Sequence, residues 1–285
     1  MRVIFVPVAD RPECAAALRT AFDLGTKLGA SVNGCHIRPH RYSDVALPAN
    51  LGSLDNFDAA WESAWQNKDS KKGDEQARAL FTKVSEHHGY SLINKPAATP
   101  GALWQEKVGA PDKVLSIMGP VSDLVVVSRP ASKGGNVARM FMLAALMNSS
   151  RPVLVLPQSR KQSIGRRISI AWNQSSEAAK AVTAAMPLLQ LADQVNIISC
   201  GPESGLGPKS RQLSSYLRFW GVKSKVVRTR GADDAKELMS AYKEAKSDLL
   251  VMGAYSRSRL RQRIFGGMTD HMLNRSNIPV FMLHA

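Results

Sequence analysis

The chain has 285 residues, 44% of them hydrophobic, with three cysteines and a formal net charge of +15. That length suits two domains of about 140 residues with packed cores. No apolar run approaches the roughly 20 residues that span a bilayer, the longest being Met140 to Met147, and Cys14, Cys35 and Cys200 are too widely spaced for a metal site and suit a reducing cytoplasm.

In chain order, Val3 to Val8 reads as a buried first strand; the N-terminal apolar run is too brief for a signal peptide and lacks a small-residue cleavage site. Leu18, Ala21, Phe22, Gly25 and Leu28 follow at helical spacing, and Ser31 to Ile37 is a second strand. Residues 38–101 hold an insertion rich in polar residues. Within it Leu54, Phe57, Trp61 and Trp65 predict an amphipathic helix, which packs on its own domain or serves as a lid or a dimer surface. A further helix from Asp74 to His88 ends at Gly89, a good residue just past a helix C-terminus. Asp123 to Ser128 is a strand; Val137, Met140, Phe141, Ala144 and Met147 mark a helix; Arg151 to Leu156 is a closing strand that tolerates Pro152 at its start.

The second half repeats the plan. Ile168 to Trp172 answers the first strand, and Ala178, Val182, Ala185, Met186 and Leu189 answer the first helix. Gln194 to Ser199 is the second strand, and a helix with Leu213, Tyr216, Leu217 and Trp220 ends at Gly221. Asp248 to Gly253 matches Asp123 to Ser128, and Ile278 to Leu283 matches Arg151 to Leu156. Strands alternating with helices imply parallel βαβ units with right-handed crossovers, hence an α/β fold. The expected organisation is a first domain over 1–157, a polar linker over 158–166 and a second domain over 167–285. Each domain is expected to be a doubly wound, five-stranded parallel sheet of order 3-2-1-4-5 flanked by helices. Ligands of such sheets sit at the carboxyl ends of the strands where the order reverses, here between the first and fourth strands.

In the second half that crevice is bounded by Trp172-Asn173-Gln174 and by the loop that begins at Gly253. Gly266 and Gly267 precede a helix and offer amides to a phosphate, with the Thr269 hydroxyl in its first turn. The same glycines also suit a tight strand-to-helix connection with no ligand.

These residues resemble the universal stress protein family, of the superfamily of adenine-nucleotide-binding α/β proteins. The family loop runs Gly, two residues, Gly, nine residues, Gly, then Ser or Thr. Gly253, Ser256, Gly266 and Gly267 stand at those four places with the spacing intact. The likeness covers the whole second half and, more loosely, residues 1–157, so the chain is similar to a tandem member whose halves form a pseudo-dimer through their fifth strands. The resemblance implies ATP or ADP, with magnesium, at Asn173, Met252, Gly253, Tyr255, Ser256, Gly266, Gly267, Met268 and Thr269. It also implies a stress-response role, homodimerisation and further protein partners.

This chain departs from the family pattern at several positions. Ser256 replaces a glycine, Gly267 replaces a hydroxyl, and Asn173 replaces the aspartate near the nucleoside. In the first half Ser128 stands at the strand end, Pro130 lies inside the loop, and Ala9 replaces the aspartate. That half is expected to bind nucleotide poorly, and Gly134 and Gly135 to be structural. The charge is uneven, +4 over residues 1–158 and +11 over 159–285, which favours phosphate-bearing partners or a solvated basic face. Arg257, Arg259, Arg261 and Arg263 alternate in the second loop, either solvated or on phosphate. Nucleic acid is not an expected partner, because no reader motif is present and aromatics are sparse near those arginines. The six histidines show no metal-ligand spacing, and no residue order nominates a catalytic group. A scaffold of the same fold without nucleotide, or a hydrolase or transferase acting at an α-phosphate, are the other classes.

Overall fold

A computed structural model of the chain describes residues 1–9, 12–38, 70–130, 136–158, 163–231, 233–254 and 267–284. The helix expected around Trp61 and Trp65 lies outside the described residues, as do Gly134, Gly135, Tyr255, Ser256, Gly266 and the four loop arginines. The chain divides into two compact units. One holds Met1–Arg151 and Gln158–Arg160; the other holds Pro152–Pro157 and Lys161–Ala285.

The first unit runs β1 (Val3–Val8), α1 (Pro12–Leu28), β2 (Ser31–Arg38), α2 (Ser70–His87), β3 (Leu92–Ile93), β4 (Ala102–Val108), α3 (Pro111–Met118), β5 (Leu124–Ser128) and α4 (Asn136–Asn148). Its strands pair in the order β3-β4-β2-β1-β5, all parallel. Strands covered by helices on both faces need continuous apolar runs. Ile4, Phe5 and Val6 and then Leu124, Val125 and Val126 are accordingly shut off from solvent. Leu18, Ala21 and Phe22 of the α1 stripe are equally buried. Phe22 meets Phe81 of α2 at 5.6 Å between ring centres. The amino end of α2 is fastened by charge: Asp74 holds Arg38 at 2.7 Å and approaches Nε2 of buried His36 at 2.9 Å. His36 Nδ1 lies 2.8 Å from the Val8 carbonyl.

The second unit runs β6 (Val153–Leu156), β7 (Arg167–Ala171), α5 (Ser176–Leu191), β8 (Gln194–Cys200), α6 (Ser210–Phe219), β9 (Ser224–Thr229), α7 (Asp234–Glu244), β10 (Leu249–Ala254), α8 (Met268–Asp270) and β11 (Val280–His284). Beyond α8 the coil widens to a π turn over His271–Arg275. Strand order is β6-β11-β10-β7-β8-β9. The five strands from β7 onward are parallel in the expected order 3-2-1-4-5. Val153–Leu156, read from sequence as the closing strand of the first half, runs antiparallel to β11 within this unit. The α6 stripe is narrower than its sequence suggests: Leu213 and Leu217 are buried, whereas Tyr216 and Trp220 stay exposed.

Candidate functional site

The switch in strand order of the second unit falls between β7 and β10, whose register pairs Leu249 with Ile168 and Val251 with Ile170 and so brings both carboxyl ends to one level. At the end of β7, Trp172 is buried and donates its indole N–H to the Pro208 carbonyl at 2.7 Å. Asn173 is exposed, and its Oδ1 accepts from the Ser175 hydroxyl at 2.7 Å and from the Ser175 amide at 3.2 Å. Ser175 is the N-cap of α5, accepting from the Ala178 amide at 3.1 Å. A short polar side chain that bonds the backbone just ahead is the ordinary way to open a helix, and Asn173 and Ser175 do this together. Asn173, at the position expected near a nucleoside, thus has a structural task of its own.

Met252 is buried in β10 opposite Met282, and Gly253 follows it beside α5. A Cβ built on Gly253 falls 2.6 Å from the Ala178 nitrogen and 2.7 Å from the Glu177 carbonyl carbon. Helix and strand therefore touch backbone to backbone there, and only glycine permits it. On the far side of the loop, Gly267 precedes α8 with φ 86° and ψ −146°. A side chain in that region costs about 1–3 kcal/mol, so the hydroxyl that nucleotide-binding members carry at this place does not fit this backbone. Met268 is half-buried, and Thr269 is buried in α8.

A loop anchor invisible in the local sequence pattern lies at the end of β7. Gln174, at φ 63°, donates from Nε2 to the Gly207 carbonyl at 2.8 Å and to the Gly205 carbonyl at 3.3 Å, and accepts from the Gly205 amide at 3.2 Å. The loop after β8 is thereby tied over the end of β7. Glu203 anchors the loop from the other end, taking the Ser210 amide at 2.8 Å and Arg228 at 2.6 Å. Burial alone pushes the Glu203 carboxyl up, but bonds from Ser210 and Ser199 and the Arg228 charge outweigh it and hold it below the usual range. Glu203→Gln is expected to lower stability by about 1–2 kcal/mol, read by urea unfolding, and an unchanged midpoint would show the anchor to be idle. The signal in the sequence was the stretch Gly201-Pro-Glu-Ser-Gly-Leu-Gly-Pro208, dense in turn residues.

In the first unit the matching strand ends frame a small apolar cleft of about 30 Å³, lined by Val8, Ala9, Cys14, Ser128, Ala138 and Phe141 among others. That volume holds about one water. Among the described residues no group of three or more His, Cys, Asp or Glu side chains is placed to hold a metal ion, and no helix is long and apolar enough to cross a membrane.

A doubly wound α/β unit with its crevice at this switch point defines the class. The sequence model of the Universal stress protein family matches residues 170–284, so the second unit carries a domain of that family. The whole chain has the fold of a universal stress protein from Archaeoglobus fulgidus DSM 4304, at 15% identity and a TM-score of 0.68, covering 99% of this chain and 96% of that one. It is also similar to a functionally unknown protein from Pseudomonas aeruginosa PAO1, at 13% identity and a TM-score of 0.57, covering 100% and 92%. None of the curated proteins compared matches it in sequence.

Proposed function

We propose that this is a regulatory stress-response protein whose second unit holds an adenine nucleotide, ATP or ADP with magnesium, in the crevice between β7 and β10. The observation that carries the reading is the meeting of a universal stress protein domain match over 170–284 with Asn173 and Gly253 at neighbouring strand ends of the switch point. The loop from Gly253 to Thr269, with Tyr255, Ser256, Gly266, Gly267 and Met268, supplies amides and a hydroxyl to the phosphates. Asn173 contributes polarity without charge near the ribose.

A second reading, a scaffold of the same fold without nucleotide, draws support from the packing demand at Gly253 and the backbone at Gly267. Calorimetric titration of the full chain with ATP and with its magnesium salt separates the two. The nucleotide reading expects a Kd on the order of micromolar, weakened about tenfold by Asn173→Ala or Thr269→Val. No heat at about 1 mM ATP sinks it and leaves the scaffold.

A further inference from the structure

The second unit carries a second feature, remote in chain from the 253–269 loop. From Lys209 to Arg230 the chain has seven basic residues, Lys209, Arg211, Arg218, Lys223, Lys225, Arg228 and Arg230, and no acidic one. This stretch is α6, the turn after it and the edge strand β9. Leu213, Ser214 and Leu217 are turned inward, leaving Arg211, Ser215, Tyr216, Arg218, Phe219 and Trp220 on the solvent side. Phe219 is 90% exposed, Trp220 45% and Tyr216 39%. Tyr216 and Trp220 support each other edge to face, 6.4 Å between ring centres, and the Trp220 carbonyl accepts from Gln190 of α5 at 3.2 Å.

Two carboxylates of this unit are already engaged, Glu203 with Arg228 at 2.6 Å and Asp193 with Arg166 at 2.7 Å. Lys209, Arg211, Arg218, Lys223, Lys225 and Arg230 are exposed and enter no ion pair among the described residues. Exposed aromatics are ordinarily sparse on a soluble surface and mark contacts when grouped. Three grouped rings among unneutralised cations match a ligand with flat apolar groups on a polyanionic backbone.

Although the sequence around the loop arginines gives no reason to expect nucleic acid, we propose that the solvent face of α6 and its turn into β9 bind single-stranded nucleic acid. Phe219, Trp220 and Tyr216 stack on bases, and Arg211, Arg218 and Lys223 meet phosphates. Base stacking tolerates any sequence because every base has a flat face, and the phosphate term makes affinity fall with salt. An anionic membrane is the poorer fit, since a helix lying in the interface buries a wide apolar face, and here the rings alternate with Arg211, Ser215 and Arg218. Addition of an acidic peptide strand is disfavoured at β9, where Lys225 sits on the exposed edge and discourages pairing.

Fluorescence anisotropy of a labelled oligodeoxythymidylate with the full chain tests this, with salt raised from about 50 mM. The wild type is expected to bind, and the Phe219→Ala/Trp220→Ala pair to bind about tenfold more weakly or worse, with Phe219→Trp retaining affinity. Arg218→Gln with Lys223→Gln is expected to reduce the slope of log K against log salt by about 1.4, at roughly 0.7 for each charge removed. Circular dichroism melting identifies any variant that fails to fold, and Phe219→Trp keeps the test open in that event. The proposal is overturned by no binding at low salt, by equal binding in all variants, or by binding that phosphatidylserine vesicles show and the oligonucleotide does not.

Discussion

Gly253→Val is expected to destabilise the second unit by about 3 kcal/mol or more, whether or not the crevice holds a ligand. The reason lies in what surrounds the missing side chain. Its Cβ alone would stand 2.6 Å from the Ala178 nitrogen, 2.7 Å from the Glu177 carbonyl carbon and 2.8 Å from the Glu177 Cβ. The first two are backbone atoms and cannot rotate away. Relief requires the first turn of α5 to leave β10, yet that turn is pinned through Ser175 to Ala178 and through Asn173 to Ser175. The same helix buries Ala178, Ala181, Val182 and Ala185, so displacing it opens the core. Thermal unfolding should show a fall of about 6–12 °C for a unit of this size. Gly253→Ala adds one methyl at the same place and should lose about 1–3 kcal/mol. A melting temperature equal to that of the wild type in both variants would mean the helix yields freely. Loss of nucleotide binding in Gly253→Val would therefore not by itself locate the nucleotide; Asn173→Ala and Thr269→Val are the cleaner variants for that purpose.

The legible parts of this chain are those where burial leaves one choice. Val3–Val8, Leu124–Ser128 and Leu249–Ala254 are near-continuous apolar runs because parallel central strands are covered on both faces, and the sequence reading finds all three. The third strands escape it. Ala102–Val108 and Ser224–Thr229 carry Gln105, Glu106 and Lys107 in one case and Lys225 and Arg228 in the other, since strands at or near the sheet edge keep part of their surface in water. Tyr216 and Trp220 fit a helical stripe by spacing, but spacing does not say how wide the covered face is; Leu213 and Leu217 fill it. Asn173 and Gly253, which the family pattern picks out, stand at the carboxyl ends of β7 and β10. Gln174 and Glu203 are not picked out, because their roles depend on a loop returning about 30 residues later, a contact no local pattern contains.

Removing Asp248 is expected to lower the stability of the second unit by about 2–3 kcal/mol, because one carboxylate there serves three backbone amides. Oδ1 accepts from Gly165 at 2.7 Å, and Oδ2 accepts from Arg166 and Arg167 at 3.1 Å each. These amides lie at the entry to β7, and Asp248 immediately precedes β10, so the side chain ties the starts of the two strands that bound the crevice. The first unit uses the same device. Asp123, just before β5, accepts from the Arg2 amide at 2.5 Å and the Val3 amide at 3.0 Å at the entry to β1. Burial raises the Asp123 carboxyl, but the Arg2 and Val3 amides, with the N-terminal charge and Arg151, outweigh it and hold the group below its ordinary value of 3.8. A carboxylate depressed in the folded state stabilises fully above the unfolded value and loses that contribution as pH falls through the folded one. Asp123→Ala should thus cost about 2 kcal/mol near pH 7. The gap between variant and wild type should shrink as pH falls below about 4. Urea unfolding at both pH values reads the gap directly, and a gap that stays constant would mean the carboxylate's charge plays no part in holding the strand starts together.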